Sequence, residues 1–266
     1  MQQLRIAFIG GGNMAEALIG GLLRVGHPAT HVTVSEPQAA RRQLLAERYA
    51  VRLSEDNVAA VQDADLVLLA VKPQQLRGVL QEIAAALPAA CTVISIAAGV
   101  ASASLQAWSA GHPHIVRVMP NTAALVGAGM SVLYSEADEL HQQRAEYLLN
   151  ACGQSTRVTD ESLMHVVTAL SGSGPAYFFL LAELMQAAGV KLGLDASLAS
   201  TLVGQTALGA GKMLVESGRD AESLRHQVTS PGGTTQAALD MMYEMGFPAA
   251  VREGVVAAKK RSEEMS

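Results

Sequence analysis

The run Arg5-Ile6-Ala7-Phe8-Ile9-Gly10-Gly11-Gly12-Asn13-Met14-Ala15 constrains this chain more than any other stretch. Ile6 to Ile9 predicts a short apolar strand, the glycines a sharp turn, and Asn13 to about Val25 a helix. G-x-G-x-x-A falls on Gly10, Gly12 and Ala15. Gly10 permits the tight turn off the strand, Gly12 lets the backbone approach a pyrophosphate, and Ala15 lets the helix pack close to its strand. The helix N-terminus then offers free N–H groups and a positive dipole end to an anion. Glycine turns also join strands to helices in proteins that hold no nucleotide. What favours a dinucleotide here is the setting: a strand before, a helix after, and acidic Glu36 closing a second strand.

Further strands are predicted at His31 to Ser35, Val51 to Leu53, Asp65 to Val71, Cys91 to Ser95 and Ile115 to Met119. Pro37 is expected to open the helix that follows the first of these, His31 to Ser35. The run Asp65 to Val71 is almost continuously apolar, as expected of a parallel strand buried on both faces. Six strands alternating with helices predict a doubly wound parallel sheet. In such sheets ligands lie beyond the carboxyl ends of the strands. Four of those ends carry small or polar residues, at Gly10 to Ala15, Ser35-Glu36, Ala70 to Pro73 and Ala97 to Gly99. Tight strand–helix turns explain one such end; four on one edge favour a cofactor lying across it.

Bulk properties exclude some function classes. Half the 266 residues are hydrophobic and 16% are charged, enough for a substantial core, and the net charge is −5. That balance argues against a nucleic-acid or anionic-membrane surface, which needs clustered Lys and Arg. Two cysteines, Cys91 and Cys152, form neither a disulfide framework nor a CxxC pair, which fits a reducing cytosol. The seven histidines form no metal-ligand set, so no metal is expected. The N-terminus lacks the basic region and long apolar run of a signal peptide. No stretch is expected to reach the ~20 apolar residues that span a bilayer. The expectation is a soluble, cytoplasmic protein.

Beyond Thr122 the pattern changes. Gly129 to Tyr134 and Ser155 to Val158 are expected to add strands, the latter at the sheet edge. From about Asp160 helices are predicted near 161–170, 175–192, 196–217, 220–228, 232–245 and 248–263. Two domains therefore meet near Asp160. The stretch Thr229-Ser230-Pro231-Gly232-Gly233-Thr234-Thr235-Gln236 stands out among the helices. Ser230 suits an N-cap and Pro231 the first helical position. Two glycines would leave first-turn N–H groups bare beside the hydroxyls of Ser230, Thr234 and Thr235. That is either an ordinary capped helix start or a small anion site suited to a carboxylate.

FIGGGNMAEA from Phe8, AVKP at Ala70 to Pro73, SIAAGV at Ser95 to Val100, RVMPNT at Arg117 to Thr122, SGSGPAY at Ser171 to Tyr177 and VTSPGGTT at Val228 to Thr235 occur in that order. Together they resemble the pyrroline-5-carboxylate reductase family over essentially the whole chain. The resemblance implies an N-terminal Rossmann-type doubly wound domain over 1–159 and an all-helical substrate and dimerisation domain over 160–266. It implies self-association as a homodimer or a decamer of dimers, and NAD(P)H-dependent reduction of 1-pyrroline-5-carboxylate to L-proline. By position, Gly10, Gly11, Gly12, Asn13, Met14 and Ala15 would bind the pyrophosphate, and Ser35 and Glu36 would lie by the adenosine ribose. Asn57, Ala70, Val71, Lys72, Pro73, Ala97 and Ala98 would line the cofactor. Ser230, Gly233, Thr234 and Thr235 would hold the substrate, with Glu161 as a neighbour and Thr235 as the catalytic hydroxyl. Gln227 departs from the pattern, since some members carry Asn or Asp there.

NADH and NADPH stay open. Glu36 favours ribose hydroxyls and repels a 2′-phosphate, whereas Ser35, Arg41 and Arg42 would accept the phosphate if Glu36 turns away. The nearest rival, a β-hydroxyacid dehydrogenase, resembles G-x-G-x-x-x-K at the start of its long helix, with the lysine as acid/base. Here Gly172-Ser173-Gly174 leads to Phe178 at that place. A non-catalytic dinucleotide sensor would use the first glycine motif but not the second.

Overall fold

The computed structural model describes every residue except Gln2 and Ser266. Strand β1 (Ile6–Ile9) runs into α1 (Asn13–Arg24). Then follow β2 (Val32–Ser35), α2 (Ala39–Arg48), β3 (Arg52–Ser54), α3 (Asn57–Val61), β4 (Leu66–Leu69), α4 (Pro73–Ile83), β5 (Thr92–Ser95), α5 (Ser102–Trp108) and β6 (Ile115–Met119). The next elements are β7 (Gly129–Tyr134), α6 (Glu139–Asn150) and β8 (Gly153–Arg157). Among the described residues these eight strands form one sheet in the order β3-β2-β1-β4-β5-β6-β7-β8. β1 pairs in parallel with both β2 and β4, with Ile6 opposite Val32 and Leu66. The chain winds outward in one direction from β1 and then in the other from β4, so the crevice beyond these two strands is the place where such sheets take ligands.

Alternation across the pleat explains why the strands read as unbroken apolar runs. Ile6, Phe8, Leu66, Leu68, Ile94 and Val116 face one side, where Leu18, Ile19 and Leu22 of α1 and Leu148 and Leu149 of α6 cover them. Ala7, Ile9, Val67, Leu69 and Val93 face the other, against Leu76, Leu80 and Ile83 of α4 and Leu105 of α5. Each fully buried aliphatic side chain contributes about 1.5–3 kcal/mol relative to exposure.

Two details depart from simple parallel winding. β7 runs antiparallel to β6, with Val118 opposite Leu133. Residues 120–128 are too few for the dozen-residue crossover a parallel pair needs. Second, α2 starts at Ala39, past Pro37. The Glu36 carboxylate accepts the Gln38 N–H at 2.9 Å and holds that segment extended.

From Glu161 to Lys191 the chain stays helical through a 3₁₀ turn (Glu161–Leu163), α7 (Met164–Val167), a π segment (Thr168–Gly172) and α8 (Gly174–Lys191). By length and composition this run could cross a membrane, and 17% of its apolar window is buried. That corrects the expectation that no such stretch exists. The Ser-Gly-rich residues 171–174 read as a break between two shorter helices, whereas the π segment carries the helix through them.

The chain divides into two compact units, Met1–Ser173 with Ala258–Ser266, and Gly174–Ala257. This division by contact puts the helical turns before Gly174, and the last turns of the C-terminal helix, with the sheet. The second unit holds α8, α9 (Ala196–Glu216), α10 (Ala221–Gln227), α11 (Thr234–Glu244) and most of α12 (Phe247–Glu264). Asp195 caps α9 by accepting the Ser197 N–H at 2.8 Å, and Asp220 caps α10 through the Ser223 N–H at 2.8 Å. Its buried residues are Gly174, Ala199 and Leu224, while Phe178, Phe179, Leu184, Leu192, Val215 and Met245 are exposed. A helix apolar on all sides belongs in an interior, and so broad an exposed apolar surface marks an interface.

Candidate active site

The glycine turn is built to leave space over the start of α1. Gly10 has φ +96°, and a Cβ there would meet the Ala70 carbonyl oxygen at 2.8 Å. Only glycine allows β1 and β4 to end side by side in this way, with the Gly10 N–H on the Ser35 carbonyl at 2.8 Å and the Ala70 N–H on the Ile9 carbonyl at 2.8 Å. A Cβ on Gly12 would meet nothing within 4 Å. Gly12 caps α1 with no side-chain bond, so the N–H groups of the first turn have no intrahelical partner. Ala15 is fully buried against the sheet. Open space, bare N–H groups and a helix dipole fit a dinucleotide pyrophosphate.

The other residues expected to line a cofactor lie at or just beyond the carboxyl ends of β2, β4 and β5, with Asn57 at the start of α3. Ser35 is buried and donates its hydroxyl to Asn57 Oδ1 at 2.7 Å, and Asn57 Nδ2 donates to Glu82 Oε2 at 3.1 Å. Ala70 and Val71 follow β4 directly, Lys72 precedes the first turn of α4, and Pro73 opens that helix, where its missing N–H costs nothing. Ala97 is buried just past β5 and Ala98 half-buried.

Glu36 is turned inward. Its Oε2 accepts the Gly11 N–H at 2.9 Å and its Oε1 the Gln38 N–H at 2.9 Å. Arg41 donates from Nε to the Gly11 carbonyl at 2.5 Å and from Nη2 to Glu16 Oε2 at 2.5 Å. Arg48 holds the other Glu16 oxygen at 2.5 Å. Burial alone would raise the Glu16 carboxyl, but the bonds from Arg48 and Arg41 overcome it and hold it below the usual range. Arg42 donates to the Glu36 and Pro37 carbonyls at 2.7 and 2.8 Å, and to Glu55 at 3.0 Å.

The second glycine-rich segment differs in detail from its reading as a capped helix. Ser230 is not the cap. The Gly233 N–H bonds the Ser230 carbonyl at 3.0 Å, closing a tight turn with Pro231 second and Gly232 third at φ +68°. A Pro-Gly pair in those places is a turn former, and it delays α11 to Thr234. Gly233 becomes the cap and has no side chain with which to cap. The N–H groups of Thr234, Thr235 and Gln236 therefore open the helix with no intrahelical partner and no capping side chain, beside the Thr234 and Thr235 hydroxyls.

Comparison with known proteins is consistent from end to end. The family model for pyrroline-5-carboxylate reductase dimerisation matches residues 161–265, and that for NADP oxidoreductase, coenzyme F420-dependent, matches 5–99. A pyrroline-5-carboxylate reductase of Pseudomonas aeruginosa is 47% identical, covering 100% of this chain and 98% of that protein. The Pasteurella multocida enzyme is 46% identical over the same shares. The chain belongs to the pyrroline-5-carboxylate reductase family. Among solved structures, the pyrroline-5-carboxylate reductase of Coxiella burnetii matches with a TM-score of 0.93 and 36% identity over 99% of this chain and 98% of that one. The Plasmodium falciparum pyrroline carboxylate reductase, solved with NADP bound, matches with a TM-score of 0.87 and 30% identity over 100% and 99%.

With the family in hand, two further features of the motifs acquire a place. Glu161 sits in the first unit, where its Oε1 accepts from the Ser102 N–H at 2.7 Å, the Ser102 hydroxyl at 3.0 Å and Arg117 Nη1 at 2.8 Å. Burial would raise this carboxyl, but the Ser102 N–H and Arg117 hold it below the usual range. Arg117, on β6, is 5% exposed, and its place in RVMPNT is the one sequence signal that points to it. The second feature is the π segment, whose Ser173 N–H reaches back to the Thr168 carbonyl at 2.8 Å. It packs at Gly172 against Met119, at the end of β6, where a Cβ would come within 2.3 Å of the Met119 methyl. Short π segments inside helices frequently sit at functional sites, and the Ser-Gly composition was its one sequence signal.

Proposed function

We propose that this chain reduces 1-pyrroline-5-carboxylate to L-proline with NADPH or NADH, the last step of proline biosynthesis. The observation that carries this reading is the 47% identity to a pyrroline-5-carboxylate reductase across the entire chain, with both glycine-rich helix starts present. When bound, the reduced nicotinamide supplies the hydride that goes to the imine carbon. A protonated cyclic imine already accepts hydride well, so the protein's work is positioning, which contributes several kcal/mol without a strong acid or a metal.

In this reading residues 1–159 carry the cofactor. The turn Gly10 to Ala15 receives the pyrophosphate, Ser35 and Glu36 border the adenosine ribose, and Asn57, Ala70 to Pro73, Ala97 and Ala98 line the dinucleotide. Residues 160–266 carry the substrate and the subunit interface. The bare N–H groups of α11, with Ser230, Gly233 and Thr234, grip the substrate carboxylate, and the Thr235 hydroxyl hydrogen-bonds the ring nitrogen. Glu161 belongs to the substrate side, its carboxylate keeping Arg117 and Ser102 in place. The chain self-associates through its helical region, as a homodimer or a decamer of dimers. The partner subunit, not lipid, covers the apolar Glu161–Lys191 run, and a net charge of −5 fits a cytoplasmic enzyme with no nucleic-acid partner.

Mixing the purified protein with pyrroline-5-carboxylate and NADPH or NADH tests this. Loss of absorbance at the nicotinamide band, matched mole for mole by proline, is expected; binding of the dinucleotide without turnover would leave the sensor reading instead.

A further inference from the structure

The acidic residue at the end of β2 has an ordinary assignment in dinucleotide folds, which is to read the ribose hydroxyls and repel a 2′-phosphate. In this chain its atoms are used otherwise. Both Glu36 carboxylate oxygens are engaged by backbone N–H groups, Gly11 and Gln38, at 2.9 Å each, and the residue is 8% exposed. Gly11 is the middle glycine of the turn. Its N–H is held by Glu36 and its carbonyl by Arg41, while Arg41 is locked in turn by Glu16, which Arg48 also grips. Gly11 is packed tightly as well, since a Cβ there would lie 2.7 Å from a Leu45 methyl and 3.3 Å from the Glu36 Cβ. The peptide units on both sides of Gly11 are thus fixed by Glu36, from the segment after β2, and by Arg41 of α2, which Glu16 of α1 holds in place.

We infer that Glu36 is a positioning residue that clamps the glycine turn into its phosphate-receiving shape, and that it does not select between NADH and NADPH. The inference rests on the reductase reading above. It follows from the geometry that the Gly11 N–H is not offered to the pyrophosphate, which is left to Gly12 and the first turn of α1. With each oxygen accepting a backbone N–H and the residue 8% exposed, the carboxylate is directed at the turn rather than at a ribose diol or a 2′-phosphate. The two cofactors share the pyrophosphate, so loss of the clamp weakens both alike.

Equilibrium binding of NADPH and of NADH, followed by fluorescence titration or calorimetry on the full-length protein, separates the possibilities. Glu36→Gln keeps the size but turns an N–H₂ against a backbone N–H, and Glu36→Asp keeps the charge but loses the reach. The clamp predicts that both variants raise Kd for both cofactors by about tenfold, with the NADPH to NADH ratio unchanged within about twofold. Should Glu36→Gln not fold, Glu36→Asp carries the same prediction. Tighter NADPH and weaker NADH binding in Glu36→Gln, with Glu36→Asp like wild type, would overturn the inference and restore Glu36 as the discriminator. A lowered Tm with both Kd values unchanged would overturn it too, leaving Glu36 a purely structural residue. Wild-type protein that binds neither dinucleotide would sink the reductase reading itself, and the inference with it.

Discussion

The hydroxyl of Thr235 sits in the first turn of α11, among N–H groups with no intrahelical partner. Thr235→Val keeps the β-branched shape and replaces the hydroxyl by a methyl. If Thr235 has the role proposed for it, the change is expected to lower kcat by roughly 10²-fold and to leave the NADPH Kd within about twofold of wild type. Steady-state kinetics together with a binding titration check both halves, and unchanged turnover would remove Thr235 from the reaction. At this scale the sequence was informative about residue types and less so about their partners. The Pro-Gly turn at 231–232 and the cap at Gly233 were hidden because Ser-Pro is also a good helix opening. The inward turn of Glu36 was hidden because it depends on the Gly11 N–H, a partner 25 positions away. Arg117 with Glu161, 44 positions apart, is the same case.

Elements were more legible, because period and length are local properties. β1, β6 and β7 lie where the alternation of apolar runs and glycine turns puts them. The orientation of β7 follows from the length of its connection, and the π segment from helix geometry; no strand or helix pattern encodes either. Leu68, fully buried in β4 between β1 and β5, tests the sheet. Leu68→Ala is expected to cost about 2–5 kcal/mol, read by denaturant unfolding of the intact protein.

Helix α6 adds a pH dependence. His141 stacks on His114 with ring centroids 3.7 Å apart, and its Nδ1 lies 2.7 Å from the Thr92 hydroxyl of β5, with Arg144 and His112 nearby and Asp138 one turn before it. Burial, then the charges of His114 and Arg144, push His141 down to about 4. The unfolded chain, with an ordinary histidine near 6.5, takes up the proton first. The native state is therefore favoured fully above pH 6.5, and this contribution is lost as the pH falls from 6.5 through about 4. Thermal melts over that range should show a falling Tm whose slope is reduced in His141→Gln. An unchanged slope would assign the acid sensitivity to the paired carboxylates Glu16 and Glu161 instead.

For the whole molecule, the exposed apolar face of the helical unit matters most. Phe178 and Phe179 are each 68% exposed, within the region matched by the family's dimerisation model. Phe178→Glu with Phe179→Glu places two charges on a surface built to be covered, and light scattering should show the assembly shifting toward monomer. A mass equal to wild type would move the interface elsewhere. Self-association was legible mainly through the family resemblance, because small residues and apolar helices describe an interior and an interface equally well.

The most direct measurement of the central reading follows the hydrogen itself. With pyrroline-5-carboxylate and NADPH carrying deuterium at the transferable C4 position, the account predicts one mole of L-proline per mole of cofactor oxidised. Mass spectrometry should find a single deuterium in that proline, at C5. Cofactor oxidation without proline, or proline without the label at C5, would contradict it.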